Sequence, residues 1–301
     1  MSNVIWKEIR STFQRNDSMV YQLVLVNAVI FLLLQLLRLP MYLINLDYNI
    51  TAFTNDLGLP ASFTTLLHQP WTMFTYMFTH FEFMHIVFNL LLLFWFGKVL
   101  TEFAGHRRLL PVYLLGGICG GFFYMIAYNI FPVFDDSVNE ARAYGASASV
   151  MAIIFAAVTL VPDYTMFLFF FGAVKIKWIA LVLVIIDLIS IPDSNPGGHI
   201  AHLGGALFGF LYVKQLQSGR DLGIVINNVG EAISNFFKRG SKLKVSYRKN
   251  EKSNSFFQTK QTPSEQERID TILDKISQSG YESLTKEEKE FLFKVSKDDL
   301  K

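Results

Sequence analysis

The chain has 301 residues, of which 51% are hydrophobic, 15% aromatic and only 17% charged, and its mean hydropathy is +0.33. A soluble domain carries nearer a quarter charged residues, so the composition excludes an ordinary water-soluble enzyme and points to an integral membrane protein with a polar tail. The net charge of +2 says little beside its uneven distribution, since long runs lack Lys, Arg, Asp and Glu while the last eighty or so residues are rich in them. Cys119 is the single cysteine; no intrachain disulfide can form and the redox compartment stays open.

The polar segment 1–19 is too long, and the apolar run after it too long, for a cleavable signal peptide, so that run is expected to stay as an anchor. A bilayer-spanning helix needs about 20 apolar residues. Candidate spans are 20–37, 83–100, 109–131, 147–161, 178–191 and 199–216. Lys7, Arg10 and Arg15 precede the first, Lys98, Arg107 and Arg108 separate the second and third, and Lys175 and Lys177 separate the fourth and fifth. The opposite loops include 41–84, which has no Lys or Arg, and the acidic turn at Asp135, Asp136 and Glu140. By the positive-inside rule both termini are cytoplasmic. The expected fold class is therefore an all-α polytopic membrane protein with a six-helix membrane domain over 20–216.

The fourth run is short: 15 residues rise only about 22 Å against a hydrocarbon core of about 30 Å. Ser147 then starts below the outer surface, after a loop that must dip into the protein; the competing possibility is a helix that begins earlier, within 139–144. Residues 217–262 form a juxtamembrane stretch. Leu222, Val225, Ile226, Val229, Ile233, Phe236 and Phe237 recur at helical spacing, and Lys238, Arg239, Lys242, Lys244, Arg248, Lys249 and Lys252 follow. This is an amphipathic helix against anionic headgroups or a solvated linker. Residues 263–301 carry a helical hairpin: Ile269, Ile272, Leu273 and Ile276 form a stripe, Gly280 is the stop, and Thr285 with Glu288 forms a capping box. The hairpin is a small cytoplasmic extension and a candidate docking module for a cytoplasmic partner.

Polar groups inside membrane-length apolar runs cost free energy and are functional candidates by default. In the orientation above, His85 and Asn89 share one face in the outer half of the second helix. Ser147 starts the fourth, and His202 lies about one turn into the sixth. All four fall at one depth, near the outer surface. A serine hydroxyl needs an adjacent base, and histidine is the usual one. No acid stands in the pattern to complete a triad, so the reading is a Ser147–His202 dyad, with Asn89, His85 and the Ser147 backbone N–H as oxyanion donors. Asp187, in the fifth run, reads as a snorkelling or hydrogen-bonded structural group, with a proton relay as the lesser alternative. Ser147 as a plain helix N-cap, and a metal site of His80, His85, His199 and His202, are the competing readings. The imidazoles lack standard zinc spacing. No metal or organic cofactor is expected.

At these residues the chain resembles the rhomboid family of intramembrane serine proteases. The resemblance rests on Gly145-Ala146-Ser147, on the His-x4-His-x3-Asn pattern of His80, His85 and Asn89, and on His202 followed by Gly205-x3-Gly209. Trp71 before Phe74-Thr75, and the segment 97–102, resemble further landmarks. The resemblance implies a serine nucleophile at Ser147, a base at His202, and oxyanion-hole roles for His85 and Asn89. It also implies cleavage in or near transmembrane segments of other membrane proteins, typically single-span substrates whose helix unwinds near small or helix-breaking residues. Ala148 stands where many members have glycine, and Thr72 where an arginine often follows the tryptophan. Met151 falls about where several have a tyrosine stacked on the base, which leaves support of His202 weaker or supplied from elsewhere. His199, three residues earlier, is the rival base. The alternative function is a non-catalytic rhomboid-like binder of membrane clients; a transporter would need a polar path that the cytoplasmic helix halves do not show. The expected partners are transmembrane substrates and the lipid bilayer, with no nucleic acid. The short loops suit a bacterial cytoplasmic membrane.

Overall fold

In hydrocarbon a backbone must satisfy its own N–H and C=O groups, so long apolar runs become helices. The computed structural model describes residues 19–44, 52–168, 172–237 and 265–298, and the chain forms two compact units, 1–241 and 242–301. The first unit places a helix on each of the six apolar runs: α1 (Met19–Leu43), α4 (Phe83–Ala104), α5 (Leu109–Ile130), α6 (Ser147–Leu160), α7 (Ile176–Ser190) and α8 (Pro196–Gln217). α2 (Phe63–His68) and α3 (Thr72–Thr75) lie in the loop after α1. By length and composition, α1, α4 and the stretch His106–Ile130 that contains α5 are long and apolar enough to cross a membrane. The protein is thus an integral membrane protein of mainly helical fold. The N-terminal basic residues and the cluster at 238–252 lie outside the described residues.

α1 buries one stripe, Val20, Leu23, Asn27, Phe31 and Leu34, and leaves Leu32, Leu33, Leu36 and Leu37 exposed. That is the helical period of a span with one face on protein and the other left apolar for lipid. Asn27 would be costly there without partners. Its Nδ2 donates to the Leu23 carbonyl at 2.9 Å and lies 3.2 Å from the Tyr113 hydroxyl on α5, which itself donates to the Met77 carbonyl at 2.8 Å. The network joins α1, α5 and the segment before α4.

α6 is the inner helix. It packs against α4, α5 and α8, and none of its residues is exposed. Its 14 residues rise about 21 Å, so it is as short as the sequence indicated, and its helix begins at Ser147 rather than earlier. Two short antiparallel ladders were not anticipated. β1 (Leu59–Pro60) pairs with β2 (Arg142–Ala143), tying the first loop to the segment just ahead of Ser147. β3 (Thr165–Leu168) pairs with β4 (Gly172–Lys175) between α6 and α7. At the base of this second hairpin Asp163 Oδ1 accepts from Lys177 at 2.7 Å and Lys175 at 3.0 Å. The two ammonium groups hold its carboxyl below the usual range.

Beyond α8, Asp221 gathers the chain end of the membrane unit. It accepts from the Tyr212 hydroxyl and the Gly223 N–H, both at 2.8 Å, and pairs with Arg108 at 3.2 Å. Burial pushes this carboxyl up, but the Tyr212, Gly223 and Arg108 donors together outweigh it and hold it low. α9 (Ile224–Phe237) follows as the amphipathic helix that the periodicity indicated. In the second unit, α10 (Glu265–Ser279) and α11 (Lys286–Asp298) are joined at Gly280, which has φ +76°. The capping box is formed in both directions: Glu288 N–H donates to Thr285 Oγ1 at 3.3 Å, and Thr285 N–H donates to Glu288 at 2.8 Å.

Candidate active site

The segment that delivers Ser147 is held by backbone donors. Gly145 N–H donates to the Tyr76 carbonyl at 2.9 Å, and Ala146 N–H donates to Nε2 of the fully buried His80 at 3.0 Å. Because Nε2 accepts, this hydrogen-bond network assigns the His80 proton to Nδ1 and a neutral ring. The sequence pattern contained His80 without a role; the structure makes it the acceptor that fixes the loop. Gly145 has φ +113°, and a Cβ there would come within 2.6 Å of His85 Cε1. Both facts require glycine: the His85 ring occupies the space that any side chain would take.

His85, Ser147 and His202, on α4, α6 and α8, line one cavity of about 470 Å³, together with Tyr144, Asn195 and Gly198. Ser147 and Ala148 enter it from the first turn of α6. A helix start leaves its N–H groups without intrahelical acceptors and carries the positive end of the dipole, so these backbone donors suit an oxyanion. Asn89 is not part of the lining. It is buried, and its Nδ2 donates to the His85 carbonyl one turn back at 2.8 Å, which engages the amide within α4.

Small residues bring the helices that carry Ser147 and His202 together. A Cβ at Gly205 would strike the Ala148 carbonyl oxygen, and one at Gly209 the Ala152 carbonyl oxygen. On α5, a Cβ at Gly120 would sit 2.6 Å from both Ala148 Cβ and the Ala201 carbonyl oxygen, the residues next to Ser147 and His202. Glycine at these positions allows backbone-to-backbone approach, and the separation of α6 from α8 is set there.

One expectation is overturned. The sequence reading found no acid to accompany the histidine, yet Asp187 Oδ1 lies 2.8 Å from His202 Nδ1 and also 2.8 Å from His199 Nδ1. Asp187 is only 5% exposed. The available signal was a lone carboxylate in an otherwise apolar run, 12 and 15 residues ahead of two histidines. His199 bonds the same oxygen but does not line the cavity, whereas His202 does. Asp187, His199 and His202 are a group among the described residues whose donor atoms, within 4.8 Å of one another, come close enough to share a metal. A carboxylate and two imidazoles suit a divalent transition metal, but in this arrangement both rings hydrogen-bond directly to the carboxylate. The four-imidazole site is not formed, because His80 faces Ala146 N–H while His199 and His202 face Asp187.

Fold and site define a polytopic helical membrane protein in which a serine and two histidines from three helices share a cavity. A family model described as Rhomboid domain matches residues 67–218, and the chain belongs to the rhomboid family. Residues 258–298 match a family of unknown function, DUF6576. RHOMBOID-like protein 12, mitochondrial, of Arabidopsis thaliana is 30% identical over 158 residues, covering 50% of this chain and 47% of that protein. Presenilin-associated rhomboid-like protein A, mitochondrial, of Danio rerio is 29% identical over 145 residues, covering 45% of this chain and 35% of that protein. The human presenilin-associated rhomboid-like protein, mitochondrial, is 26% identical over 139 residues with the same coverage, 45% and 35%. The chain thus spans less than half the length of these relatives. These relatives are named as mitochondrial proteins and lend no support to a bacterial membrane.

Proposed function

We propose that this protein is an intramembrane serine endopeptidase that cleaves other membrane proteins in or near their transmembrane segments. The observation that carries this reading is the convergence of Ser147, His85 and His202 on one cavity. Ser147 Oγ attacks the scissile carbonyl carbon and gives its proton to Nε2 of His202. The oxyanion is met by the first-turn N–H groups of α6 and by His85, in a site where low dielectric strengthens each donor. The C–N bond breaks as His202 returns the proton to the leaving amine. Water then attacks the acyl-enzyme, losing its proton to His202, which passes it to Ser147 Oγ as the C–O bond breaks and the acid is released. Asn89 supports the site by securing the turn of α4 that carries His85.

In this reading six helices cross the bilayer, both termini lie on the Lys- and Arg-rich cytoplasmic side, and the hairpin over 265–298 is a docking module. The test is cleavage of a fluorogenic transmembrane substrate in proteoliposomes by the native chain, Ser147→Ala and His202→Ala. Cleavage by the native chain alone is the expected result. Cleavage surviving Ser147→Ala sinks the serine mechanism. A native chain that binds substrates across a varied panel and cuts none leaves the client-binding function in its place.

A further inference from the structure

We propose that Asp187 is a positioning residue for the base: its carboxylate, anchored by His199, fixes His202 with Nδ1 protonated and Nε2 free to face Ser147. The proposal rests on the serine-protease reading above and changes its catalytic unit from a dyad to an acid-supported base.

α7 reads IKWIALVLVIIDLIS, and Asp187 is its sole acidic residue. A carboxylate at such a position is expensive unless paired. It is one of three buried residues on that helix, with Ile176 and Ala180, so it is turned into the protein rather than toward an interface. What it meets there is two Nδ1 atoms from successive turns of α8, each at 2.8 Å from the same Oδ1. Since a carboxylate only accepts, both Nδ1 atoms are the protonated ones, and in the neutral ring of His202 it is Nε2 that carries the lone pair. That tautomer is the one a general base requires. As His202 takes up the Ser147 proton, the adjacent anion stabilises the imidazolium, the function an acid serves in serine-protease triads.

His199 has a separate part. A single hydrogen bond would leave the carboxylate free to turn about its side-chain torsions. A second donor one helical turn before His202 holds the oxygen in place. The turn between α7 and α8 is fixed in support of this register, with Asn195 in a left-handed conformation at φ +48° and its side chain accepting from Gly198 N–H at 3.2 Å. Met151, which falls about where several family members have a tyrosine stacked on the base, is buried and apolar and supplies no acceptor for Nδ1. The support of His202 comes from α7 instead.

The experiment compares the native chain with Asp187→Ala, Asp187→Glu, His199→Ala and Ser147→Ala in proteoliposomes with one fluorogenic transmembrane substrate. Asp187→Ala is expected to lower kcat about 100-fold with KM within twofold. Asp187→Glu should recover part of that loss, and His199→Ala should cost less than Asp187→Ala. A merely structural link between α7 and α8 would not give a kcat-specific loss rescued by another carboxylate. The second readout needs no activity: ¹⁵N-histidine NMR of the Ser147→Ala protein, with His202 assigned by its disappearance in the Ser147→Ala/His202→Gln double variant. A single Nδ1-protonated tautomer that becomes a mixture in Ser147→Ala/Asp187→Ala is expected. Asp187→Ala with kcat within twofold of native, or a His202 tautomer unchanged by removal of the carboxylate, overturns the proposal. A native chain that does not cleave counts against the protease reading alone, because the NMR result still decides the part played by Asp187.

Discussion

Gly120→Ala tests whether the small-residue seam aligns the active site. The added Cβ would lie 2.6 Å from Ala148 Cβ and 2.6 Å from the Ala201 carbonyl oxygen, whereas ordinary contact begins at 3.4 Å. Two surfaces must therefore recede by about 0.8 Å each, and neither is the end of a flexible side chain: one is the Cβ of a helical alanine, the other a backbone oxygen. Overpacking of this kind costs about 1–3 kcal/mol. Replacing glycine in a helix by alanine returns about 1 kcal/mol, so the net loss of stability is about 0–2 kcal/mol. The effect on catalysis is larger. Ala148 and Ala201 adjoin Ser147 and His202, and a misplacement near 1 Å costs on the order of 10²-fold, so kcat should fall about 10- to 100-fold while the protein stays folded. The assay is substrate cleavage in proteoliposomes beside thermal unfolding in detergent, with Gly230→Ala as control because nothing lies within 4 Å of that position. A Gly120→Ala protein that cleaves within twofold of native would show that this seam does not align Ser147 with His202.

Gly145→Ala meets both a φ of +113° and the His85 ring, and the backbone or the ring must move; a fall in kcat of about 100-fold is expected, read by the same cleavage assay. Asp221→Asn should destabilise the membrane unit by about 1 kcal/mol at pH 7. Because the folded-state carboxyl of Asp221 is held low, its contribution exists above the unfolded pKa of about 3.9 and fades as pH falls through the lower folded value. Thermal midpoints of native and variant should therefore converge in acid; a gap that stays constant with pH would show that ionisation of Asp221 plays no part. Thr285→Ala removes the side-chain acceptor of Glu288 N–H and should cost about 1 kcal/mol locally, seen as faster hydrogen exchange at the start of α11 in the full chain.

Helix positions were the most legible part of the fold. The run at 109–131 became Leu109–Ile130 and that at 199–216 became Pro196–Gln217, because apolar length and flanking charge are local properties. The paired strands were not legible. Leu59 and Ala143 are partners across 84 positions, and two-residue strands leave no periodicity to read. At the site, His85, Ser147 and His202 could be placed by depth alone, which is a property of each helix by itself. Asp187 could not be assigned in that way. Its partner depends on how α7 is rotated about its own axis, and that rotation is set by packing against the rest of the bundle. That Gly120 separates Ala148 from Ala201 is a tertiary fact of the same kind. The placement of Asn89 is similar: its helix face was evident, while the choice between a carbonyl of its own helix and the cavity depended on local side-chain geometry.

Bilayers act on membrane proteins through the residues that acyl chains touch, and a change in thickness is absorbed by tilting or thinning at that boundary. α6 has no exposed residue. α1 and α7 have several, Leu32, Leu33, Leu36 and Leu37 on one and Leu181, Val182, Ile185 and Ile189 on the other. In the proposed six-span arrangement, hydrophobic mismatch would be absorbed by these peripheral helices, and the position of Ser147 would be set by protein packing rather than by the lipid around it. A membrane of different thickness would alter how these boundary helices sit before it altered where Ser147 lies.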